Sequence, residues 1–420
     1  MLSRFKPVGI REDVQRPSAN SWRGNGSCGR PSLTMTWVGL GVRVLASPRG
    51  GVMLNRDDYI ATAEALHTCV EARVPVILWG PPGQGKTSVI RDLAAQQQRH
   101  LEVLLASIRE PQDFAGLPSI HDGTATLVPP NWAARLREDG NGILFTDEVN
   151  TAPPAVQAAL LRVCLDKVAG DCELGERTSI IAAANPPEQA ADGWDLAPPL
   201  ANRFCHLDWS LPSDVVRDGL AGQWPSVEMG TAKPKDVAAA IGREQILVAG
   251  FLTGRPDLCT VLPKATSEQG RAFPTPRSWE MAITLGGWSD ALGLEAVARR
   301  MLMRGCLGQG ASAEYLTYRD NIDLPDPESI LAAPTKFKPP KRADQVYVIG
   351  AGVLAVVRNK LTEERWNAAG QVLERIASGG NPDIAVAFAR DWLRMRPGDA
   401  MPDSALLKAL IPLLQEARMI

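Results

Sequence analysis

Short apolar runs alternate with longer amphipathic segments between residues 55 and 212. Asn55 or Asp57 can cap a helix that runs to about Glu71, because apolar side chains recur there with a helical period. Five apolar runs lie beyond it, at 74–79, 103–106, 143–146, 179–184 and 204–209. Most of them do not alternate with polar residues, which is typical of strands buried on both faces of a parallel sheet. The pattern predicts an α/β domain over residues 53–212.

The strand pattern fades after Pro212. Residues 213–335 read as helices and loops with proline-rich breaks, and residues 336–343 are a basic stretch typical of a linker. From Asp344 to the end, the pattern predicts about four helices. We therefore expect a helical domain over residues 213–335, followed by a C-terminal helical region over residues 336–420.

Residues 1–52 differ in composition from the rest of the chain. They hold eight Lys or Arg residues against two acidic ones, are rich in Gly, Pro and Ser, and show no amphipathic period. This favours a disordered segment. A segment that is not translated is a second interpretation, since Met35 and Met53 are plausible start sites, and an Arg-rich transit peptide is a third. A charged tail that touches nucleic acid weakly is a fourth.

Composition disfavours several classes of protein. The 420 residues carry 45 basic and 47 acidic side chains, so no global charge points to nucleic acid or to an anionic membrane. No run of 18 apolar residues is present, and we expect no membrane insertion. The seven cysteines are scattered and lack a C-x-x-C pair. This favours buried, reduced thiols in a cytoplasmic protein over disulfides or a zinc site.

The strongest motif lies between a predicted strand and a predicted helix. It matches G-x-x-x-x-G-K-[ST], a phosphate-binding loop in which backbone amides and the positive end of the next helix surround a β-phosphate. Lys86 would reach the β- and γ-phosphates, and the Thr87 hydroxyl would bind Mg²⁺. The predicted nucleotide-binding residues are Gly80, Pro81, Pro82, Gly83, Gln84, Gly85, Lys86, Thr87 and Ser88.

A second motif places two adjacent carboxylates at the end of an apolar run. Asp147 and Glu148 follow residues 143–146, and in a parallel sheet they would emerge at the same edge as the phosphate-binding loop. Asp147 would hold Mg²⁺ through water, and Glu148 would orient and polarise the attacking water. Apolar runs also end in Asp-Glu at ordinary strand-to-loop transitions, so the position after the loop is what supports a catalytic role.

Two further residues are candidate phosphate contacts. Asn185 ends the run 179–184 and can hydrogen-bond a γ-phosphate or the attacking water, although Asn before proline is also a common turn residue. Arg203 precedes the last apolar run and could supply positive charge to a transferring phosphoryl group. The alternative for Arg203 is a surface arginine beside a strand.

A fifth motif begins a helix in the second half of the chain. Thr275 is a good N-cap, and Pro276 is a good first helical residue. Arg277 would then lie at the positive end of the helix dipole, where a cation is disfavoured unless an anion is close. A nucleotide phosphate is one candidate for that anion, and Glu280 is another.

In this order, the five motifs resemble those of AAA+ ATPases, and most closely those of the MoxR-type branch with its CobS-like chelatase subunits. The resemblance covers roughly residues 55–335 and is carried by residues 80–87, 109–118 and 147–157. It implies a P-loop NTPase sheet in strand order 5-1-4-3-2 with helices on both faces, an α-helical lid, ATP and Mg²⁺ as ligands, and a ring usually of six subunits.

The resemblance also implies roles for individual residues. Asn185 would be sensor 1, Arg277 would be sensor 2, and Arg203 would be an arginine finger that acts on the neighbouring subunit's nucleotide. The chain departs from the branch at Thr151, where most relatives have Arg, and it lacks an aromatic-apolar-Gly loop of the kind that grips threaded polypeptide. We interpret Trp132 as a packing residue rather than a pore contact.

The sequence favours an ATP-hydrolysing ring that changes the conformation of a protein partner, with ATP bound between the α/β domain and the helical lid. By the same resemblance, that client could carry a von Willebrand A domain. A metal-chelatase ATPase subunit is the alternative among enzymes, and a nucleotide-gated assembly scaffold is the alternative outside them. A DNA-directed role is disfavoured by the near-neutral charge and the lack of a recognisable DNA-reading module.

Overall fold

The computed structural model describes residues 55–186, 194–225, 227, 230–322, 324–398 and 400–401. All of them fall within the unit Met53–Ile420. The interpretations of residues 1–52 lie outside the described residues, as does the end of the predicted C-terminal region, residues 402–420.

Nine strands lie in the described part of the chain, and five of them form one parallel sheet. In chain order the strands are β1 (Val76–Trp79), β2 (Leu101–Leu105), β3 (Leu117–His121), β4 (Thr124–Val128), β5 (Ile143–Asp147), β6 (Val168–Ala169), β7 (Cys172–Glu173), β8 (Ser179–Ala184) and β9 (Cys205–Asp208). The sheet has the order β2-β5-β8-β1-β9, and all neighbours run parallel. Numbered among themselves, these five strands lie in the order 5-1-4-3-2, so the predicted order is confirmed.

Fifteen α-helices flank and follow the sheet in the described residues. They are α1 (Arg56–Ala72), α2 (Lys86–Gln96), α3 (Gln112–Ala115), α4 (Asn131–Asp139), α5 (Pro154–Asp166), α6 (Pro198–Ala201), α7 (Ser213–Leu220), α8 (Pro234–Gly254), α9 (Thr266–Gln269), α10 (Pro276–Leu292), α11 (Ala296–Asn321), α12 (Pro327–Ala332), α13 (Ala343–Asn359), α14 (Glu363–Ser378) and α15 (Pro382–Arg394). Single 3-10 turns follow β2 and β5 at Ala106–Ile108 and Val149–Thr151.

Helices cover both faces of the sheet, as its apolar strands require. On one face, Val76 and Leu78 of β1 pack with side chains of α1, α2, α10 and α11. On the other face, Ile77 and Trp79 pack with side chains of α4, α5 and α6. The strands are therefore buried on both sides, and polar groups are concentrated where the strands end.

Local hydrogen bonds specify two helix starts. The Asn55 side chain accepts from the Asp58 amide at 2.8 Å while the Asp58 carboxylate accepts from the Asn55 amide at 3.1 Å, a reciprocal cap for α1. At α10, the Thr275 hydroxyl accepts from the Ser278 amide at 3.2 Å, and Pro276 is the first helical residue. Both starts agree with the sequence prediction.

A buried ionic network joins three helices of the helical domain. Glu244 of α8 is 1% exposed and accepts hydrogen bonds from the Tyr315 hydroxyl at 2.7 Å and from Arg319 at 3.1 Å, both on α11. Arg319 also donates to Asp290 of α10 at 2.7 Å. Among the described helices, α8 alone has the length and apolar composition to cross a membrane; here it packs against α10 and α13 and buries the Glu244 carboxylate.

The C-terminal helices form a hydrophobic cluster of their own. Helices α13, α14 and α15 pack around Trp366 and Trp392, whose rings stack 4.4 Å apart. Each indole N–H donates to the other residue's carbonyl at 2.8 Å. Ile330 and Leu331 place α12 in the same cluster, so the packing of this region begins ahead of residue 336, where the sequence pattern placed its start.

Two antiparallel ribbons, β3–β4 and β6–β7, are joined to each other. The Asp171 carboxylate accepts from the Leu127 amide at 2.7 Å, and the Asp171 amide donates to the Leu127 carbonyl at 3.0 Å. A Cβ at Gly116 would lie 2.8 Å from the Cα of Gly170. A side chain at Gly116 would therefore push the ribbons apart.

Candidate functional site

Predicted site residues from three chain segments meet at the carboxyl edge of the sheet. Lys86 and Thr87 begin α2 after β1, Asp147 is the last residue of β5, and Asn185 directly follows β8. Because β5, β8 and β1 are neighbours in a parallel sheet, their carboxyl ends are adjacent. The structure thus brings together the loop, carboxylate and asparagine motifs.

The phosphate-binding loop has a backbone that favours glycine. Gly83 and Gly85 have φ angles of +77° and +68°. A Cβ at Gly80 would lie 2.3 Å from the carbonyl oxygen of Trp209, so the loop passes too close to the end of β9 for a side chain. Helix α2 then starts at Lys86 and leaves its first amides without intrahelical partners, which suits a bound anion.

Gln84 braces this loop against the segment that follows β9. Its side-chain oxygen accepts from the Leu211 amide at 3.0 Å, and its carbonyl accepts from the Trp209 indole N–H at 2.9 Å. On the other side, the Gly80 amide donates to the Ala184 carbonyl at 3.1 Å. The loop is therefore held from two neighbouring strands, which preorganises it for a phosphate.

The Lys86 ammonium lies inside the loop. It donates to the Gly80 carbonyl at 2.5 Å, to the Pro81 carbonyl at 3.0 Å and to the Asn185 side-chain oxygen at 3.1 Å. Burial lowers the pKa of Lys86 from its usual value, while the nearby Asp147 and Glu148 carboxylates oppose that change. Its three hydrogen-bond partners are neutral oxygens, and the charged oxygens of a phosphate could take their place.

Thr87 and Asp147 form a pair of hard oxygen ligands. The Thr87 hydroxyl donates to the Asp147 carboxylate at 3.0 Å, across the gap between α2 and β5. Hydroxyl and carboxylate oxygens are ligands that Mg²⁺ accepts, usually together with phosphates and water. Among the described residues, no group of three or more His, Cys, Asp or Glu side chains could hold a metal ion. Two protein ligands leave the other Mg²⁺ positions to phosphate oxygens and water, so this pair fits Mg²⁺ as part of a nucleotide complex.

Glu148 is held both by its backbone and by its side chain. Its φ of +55° is left-handed, which costs roughly 1–2 kcal/mol for a residue with a Cβ. The Thr151 hydroxyl and amide both donate to the Glu148 carbonyl, at 2.8 and 3.1 Å, and stabilise this turn. The Ser107 hydroxyl donates to the Glu148 carboxylate at 2.8 Å. Thr151, at which the sequence differs from the MoxR-type pattern, therefore closes the turn that carries Glu148.

Asn185 is held by a second asparagine. The Asn150 side-chain N–H donates to the Asn185 carbonyl at 2.8 Å, and the Asn185 amide donates to the Asn150 side-chain oxygen at 3.1 Å. Asn150 is 3% exposed. Asn185 thus faces Lys86 with its backbone fixed by the turn that follows Glu148.

Arg203 and Arg277 lie together at a different place in the molecule. Burial and the positive charge of Arg277 lower the pKa of Arg203 from its usual value. The Arg203 Nε–H is buried without a hydrogen-bond partner in the described residues, although another N–H of its guanidinium donates to the Pro199 carbonyl. Arg277 is exposed, and neither arginine has a carboxylate within ion-pair distance in the described part of the chain, Glu280 included. The two guanidinium groups form a cationic pair that an anion could fill.

The path of the segment before α10 explains why Arg277 lies beside Arg203. At the carboxyl end of β9, Arg271 binds Asp208 at 3.1 Å and stacks 4.0 Å over the Trp79 ring. At the amino end, the Thr275 hydroxyl donates to the Asn202 side chain at 2.8 Å. The chain therefore runs along the edge strand in the direction opposite to β9, and it leaves Arg277 beside Arg203. The structure does not bring Arg277 to the phosphate-binding loop of its own chain.

An open cavity of about 700 Å³ adjoins the phosphate-binding loop. Its apolar walls come from Tyr59, Leu66, Trp209, Leu211, Val216 and Leu220. Its polar lining includes Gln84, Ser88 and Asp92, and Tyr59 packs edge-on against Trp209 at 5.5 Å. A slot of this size and character, next to a phosphate site, suits a nucleobase and ribose. The predicted binding residue Ser88 lies in its wall.

Trp132 is a packing residue, as the sequence predicted. It is 5% exposed, its ring lies 6.1 Å from that of Phe114, and its indole N–H donates to the Asp113 carbonyl at 2.9 Å. Its side chain is therefore part of the hydrophobic core on the face of the sheet that α4, α5 and α6 cover.

Sequence reasoning missed Ser107 and Asn150 as parts of the site. Neither belongs to a motif with a known phosphate role. A signal for Ser107 was present, because it follows the end of a strand that the predicted order places next to the strand ending in Asp147. Asn150 lies in the segment 147–157 that carries the resemblance, but that pattern does not indicate that its side chain binds the Asn185 backbone.

Comparison with known proteins agrees with this architecture. Residues 75–204 match the family model of the AAA domain, dynein-related subfamily. The chain is 28% identical over 138 residues to WtsA of Pantoea stewartii subsp. stewartii, whose name describes a regulatory protein of a pathogenicity locus. That region is 31% of this chain and 43% of WtsA, so the chain matches less than half the length of this relative.

A candidate ATPase from Cytophaga hutchinsonii superposes with a TM-score of 0.35 and 14% identity, covering 64% of this chain and 94% of that one. NtrX from Brucella abortus superposes with a TM-score of 0.28 and 18% identity, covering 86% and 69%. Such low scores carry no weight, and the fold is assigned from strand order and from the family match. On those grounds, residues 75–204 are similar to the AAA domain family, and the described residues have the α/β fold of an AAA+ P-loop NTPase, followed by helices.

Proposed function

We propose that this chain is an Mg²⁺-dependent ATPase that acts as a ring and changes the conformation of a protein partner. The observation that carries the proposal is the convergence of Lys86, Thr87, Asp147 and Glu148 at one sheet edge, where Thr87 already pairs with Asp147. A nucleoside-sized cavity adjoins this group, and the AAA family match covers the same residues.

Binding of a triphosphate would exchange neutral partners for charged ones. Lys86 would replace its bonds to the Gly80 and Pro81 carbonyls with bonds to phosphate oxygens, which are stronger because they are charge-assisted. Asn185 already accepts from Lys86 and would lie beside the γ-phosphate. The loop amides would need little rearrangement, since Gln84 holds them in place.

Hydrolysis would then depend on the carboxylate turn. When bound, Mg²⁺ neutralises phosphate charge and makes the γ-phosphorus a better electrophile; Thr87 and Asp147 would hold it. Ser107 binds one oxygen of the Glu148 carboxylate and leaves the other available to accept a proton from the attacking water. Preorganised groups of this kind lower the barrier because they need not reorient during the reaction.

The cationic pair supports action between subunits. Arg203 precedes β9, whose first residue pairs with Val76, whereas the phosphate-binding loop follows Trp79 at the other end of β1. Four residues of strand separate the two levels by about 13 Å. Arg203 and Arg277 are therefore at the amino end of the sheet, opposite the end where their own chain would bind the nucleotide. The anion that we propose for them is the γ-phosphate bound by a neighbouring subunit. Sensor 2 would then act in trans, together with the arginine finger.

The MoxR-type resemblance supports a protein client, such as one with a von Willebrand A domain, and a ring usually of six subunits. Trp132 is buried, and its ring packs in the core instead of being free to contact a threaded polypeptide. We therefore propose remodelling by contact with the ring surface rather than by threading.

Phosphate release from ATP tests the hydrolysis step. The chain should release phosphate in the presence of Mg²⁺, and Glu148→Gln should bind labelled ATP as tightly as the parent while releasing almost none. Hydrolysis by Glu148→Gln at the parent rate would remove Glu148 from its role. ATP binding without turnover by the parent chain would instead favour a nucleotide-gated scaffold.

Mixing inactive variants tests the ring. Arg203→Ala and Lys86→Ala should each be nearly inactive alone, and mixtures should recover activity, because one subunit supplies Lys86 and its neighbour supplies Arg203. Lys86→Ala mixed with Glu148→Gln is the control, since both residues serve the same pocket and should not complement. No recovery at any mixing ratio, or a monomer in saturating ATP, would contradict action between subunits.

A further inference from the structure

Asn150 occupies the point where the ladder between β5 and β8 stops. These strands pair in parallel up to Thr146 and Ala182, after which β5 turns away at Asp147 and Glu148. The Asn185 backbone lies beyond that pairing and would lack a strand neighbour. The Asn150 amide supplies both missing partners, with a donor at 2.8 Å and an acceptor at 3.1 Å.

The backbone of Asn150 is also held in place. Its own carbonyl accepts from the Trp194 amide at 2.7 Å, and it sits in the 3-10 turn Val149–Thr151 that directly follows Glu148. With 3% exposure, its side chain has no room for another rotamer without breaking both bonds. Asn150 is thus a rigid link between the carboxylate turn and Asn185.

From this geometry we infer that Asn150 is a positioning residue for phosphoryl transfer: it aims the Asn185 side chain at Lys86 and the γ-phosphate, and makes Asn185 move together with Glu148. The inference rests on the proposed ATPase function of the same site. Asn150 would not touch the nucleotide, so its loss should act on kcat rather than on the affinity for ATP. A shift of about 1 Å in a positioned group can cost as much as a hundredfold in rate.

Two substitutions separate positioning from simple stability. Asn150→Ala removes both bonds. Asn150→Asp keeps the acceptor for the Asn185 amide but loses the donor to its carbonyl while the new carboxylate is ionised. Protonation of that carboxyl restores a donor, and burial should raise its pKa above the usual value of about 4. The kcat of Asn150→Asp, relative to that of the parent, should therefore rise as the pH falls, whereas the relative kcat of Asn150→Ala should stay low at every pH.

Gln157→Glu is a matched control. Gln157 is another buried amide that holds backbone on both sides, donating to the Ala152 carbonyl at 3.1 Å and accepting from the Ala197 amide at 3.0 Å. It makes no contact with Asn185. Its substitution should lower the Tm, as Asn150→Asp does, but its kcat should follow the parent's pH profile.

Hydrogen exchange gives a readout that needs no catalysis. In Asn150→Ala, the Asn185 amide loses its acceptor, and a peptide ending at this residue should exchange one more deuteron at early times; Asn150→Asp should keep the parent's protection. Equal protection in all three proteins, or an Asn150→Asp rate ratio that does not change with pH, would overturn the inference. Failure of the parent chain to hydrolyse ATP would instead count against the proposed function, because the exchange result stands apart from it.

Discussion

The Ser107 hydroxyl donates a 2.8 Å hydrogen bond to the Glu148 carboxylate, 41 residues further along the chain. Ser107 lies in the 3-10 turn after β2, and Glu148 lies just after β5, the strand paired with β2. Two neighbouring strands therefore contribute one residue each to the position of the proposed base. The bond fixes the rotamer of a side chain whose backbone is already held in a left-handed turn.

We expect Ser107→Ala to lower kcat about tenfold while leaving the KM for ATP unchanged, because a freed carboxylate spends less time oriented towards the attacking water. Steady-state phosphate release over a range of ATP concentrations measures both constants. Ser107→Thr, which keeps the hydroxyl, is the control and should remain near the parent rate. A faster Ser107→Ala enzyme would show that the bond withholds the carboxylate instead of aiming it.

Arg277 should behave as a residue of the neighbouring subunit's pocket. Arg277→Ala alone should hydrolyse ATP slowly, and adding Lys86→Ala subunits should raise the rate, since an intact loop then faces an intact Arg277. If Arg277 served its own loop, every pocket in the mixture would lack one of the two residues. A titration of one variant into the other, read as phosphate release, decides between the two arrangements.

The Thr87 hydroxyl should determine how much Mg²⁺ the protein needs for hydrolysis. Thr87→Val has nearly the same shape but loses the oxygen that pairs with Asp147. We expect the Mg²⁺ concentration for half-maximal hydrolysis to rise at least about tenfold, the order of effect expected when a ligand or its support is removed. Thr87→Ser keeps the oxygen and should stay close to the parent. An unchanged Mg²⁺ requirement in Thr87→Val would exclude the hydroxyl as a ligand.

His206 should make the fold sensitive to mild acid. Its Nδ1 accepts from the Trp79 indole at 2.9 Å and its Nε2 donates to the Ala201 carbonyl at 2.9 Å, which suits the neutral ring. Burial, reinforced by the nearby Arg271 charge, lowers the pKa of His206 to about 4, although the Ala201 carbonyl opposes this. The unfolded chain then binds a proton that the folded chain does not, so stability is lost as the pH falls from about 6.5 towards 4.

Urea unfolding near neutral pH and near pH 5 measures this effect. The free energy of unfolding of the parent should fall by about 2 kcal/mol more than that of His206→Gln between the two conditions. Gln has an acceptor and a donor for the same two partners but no proton to take up. Equal losses in the two proteins would show that His206 already titrates normally in the folded state.

The sequence was informative wherever a function depends on neighbours along the chain. The loop from Gly80 to Thr87 could be identified because the phosphate contacts, the glycine turn and the helix start are contiguous. The strand order and the positions of Asp147 and Asn185 followed from buried apolar runs and a family resemblance. In each case the motif is a contiguous stretch of sequence, and the strand order of the sheet determines which other motifs lie beside it.

What escaped the sequence depends on packing between distant segments. The sequence did not indicate which nucleotide Arg277 would approach, because the route of the chain from Arg271 to Thr275 along β9 depends on side-chain contacts with Asp208 and Asn202. In the same way, α12 joined the C-terminal cluster through Ile330 and Leu331, because a short amphipathic helix can pack equally well on either side. A hydrophobic pattern predicts that a face of a helix is buried, but it does not indicate which other element the face packs against.

The edge strand β9 serves a different purpose at each end. Just past its carboxyl end, the Trp209 indole N–H donates to the Gln84 carbonyl of the phosphate-binding loop. Ahead of its amino end, Asn202 adjoins Arg203 and accepts a hydrogen bond from Thr275, at the start of the helix that carries Arg277. Because β9 is only four residues long, both sets of contacts depend on one short extended segment. In the proposed ring, a shift of this strand would therefore displace the phosphate-binding loop of one subunit and the arginines offered to the next subunit together.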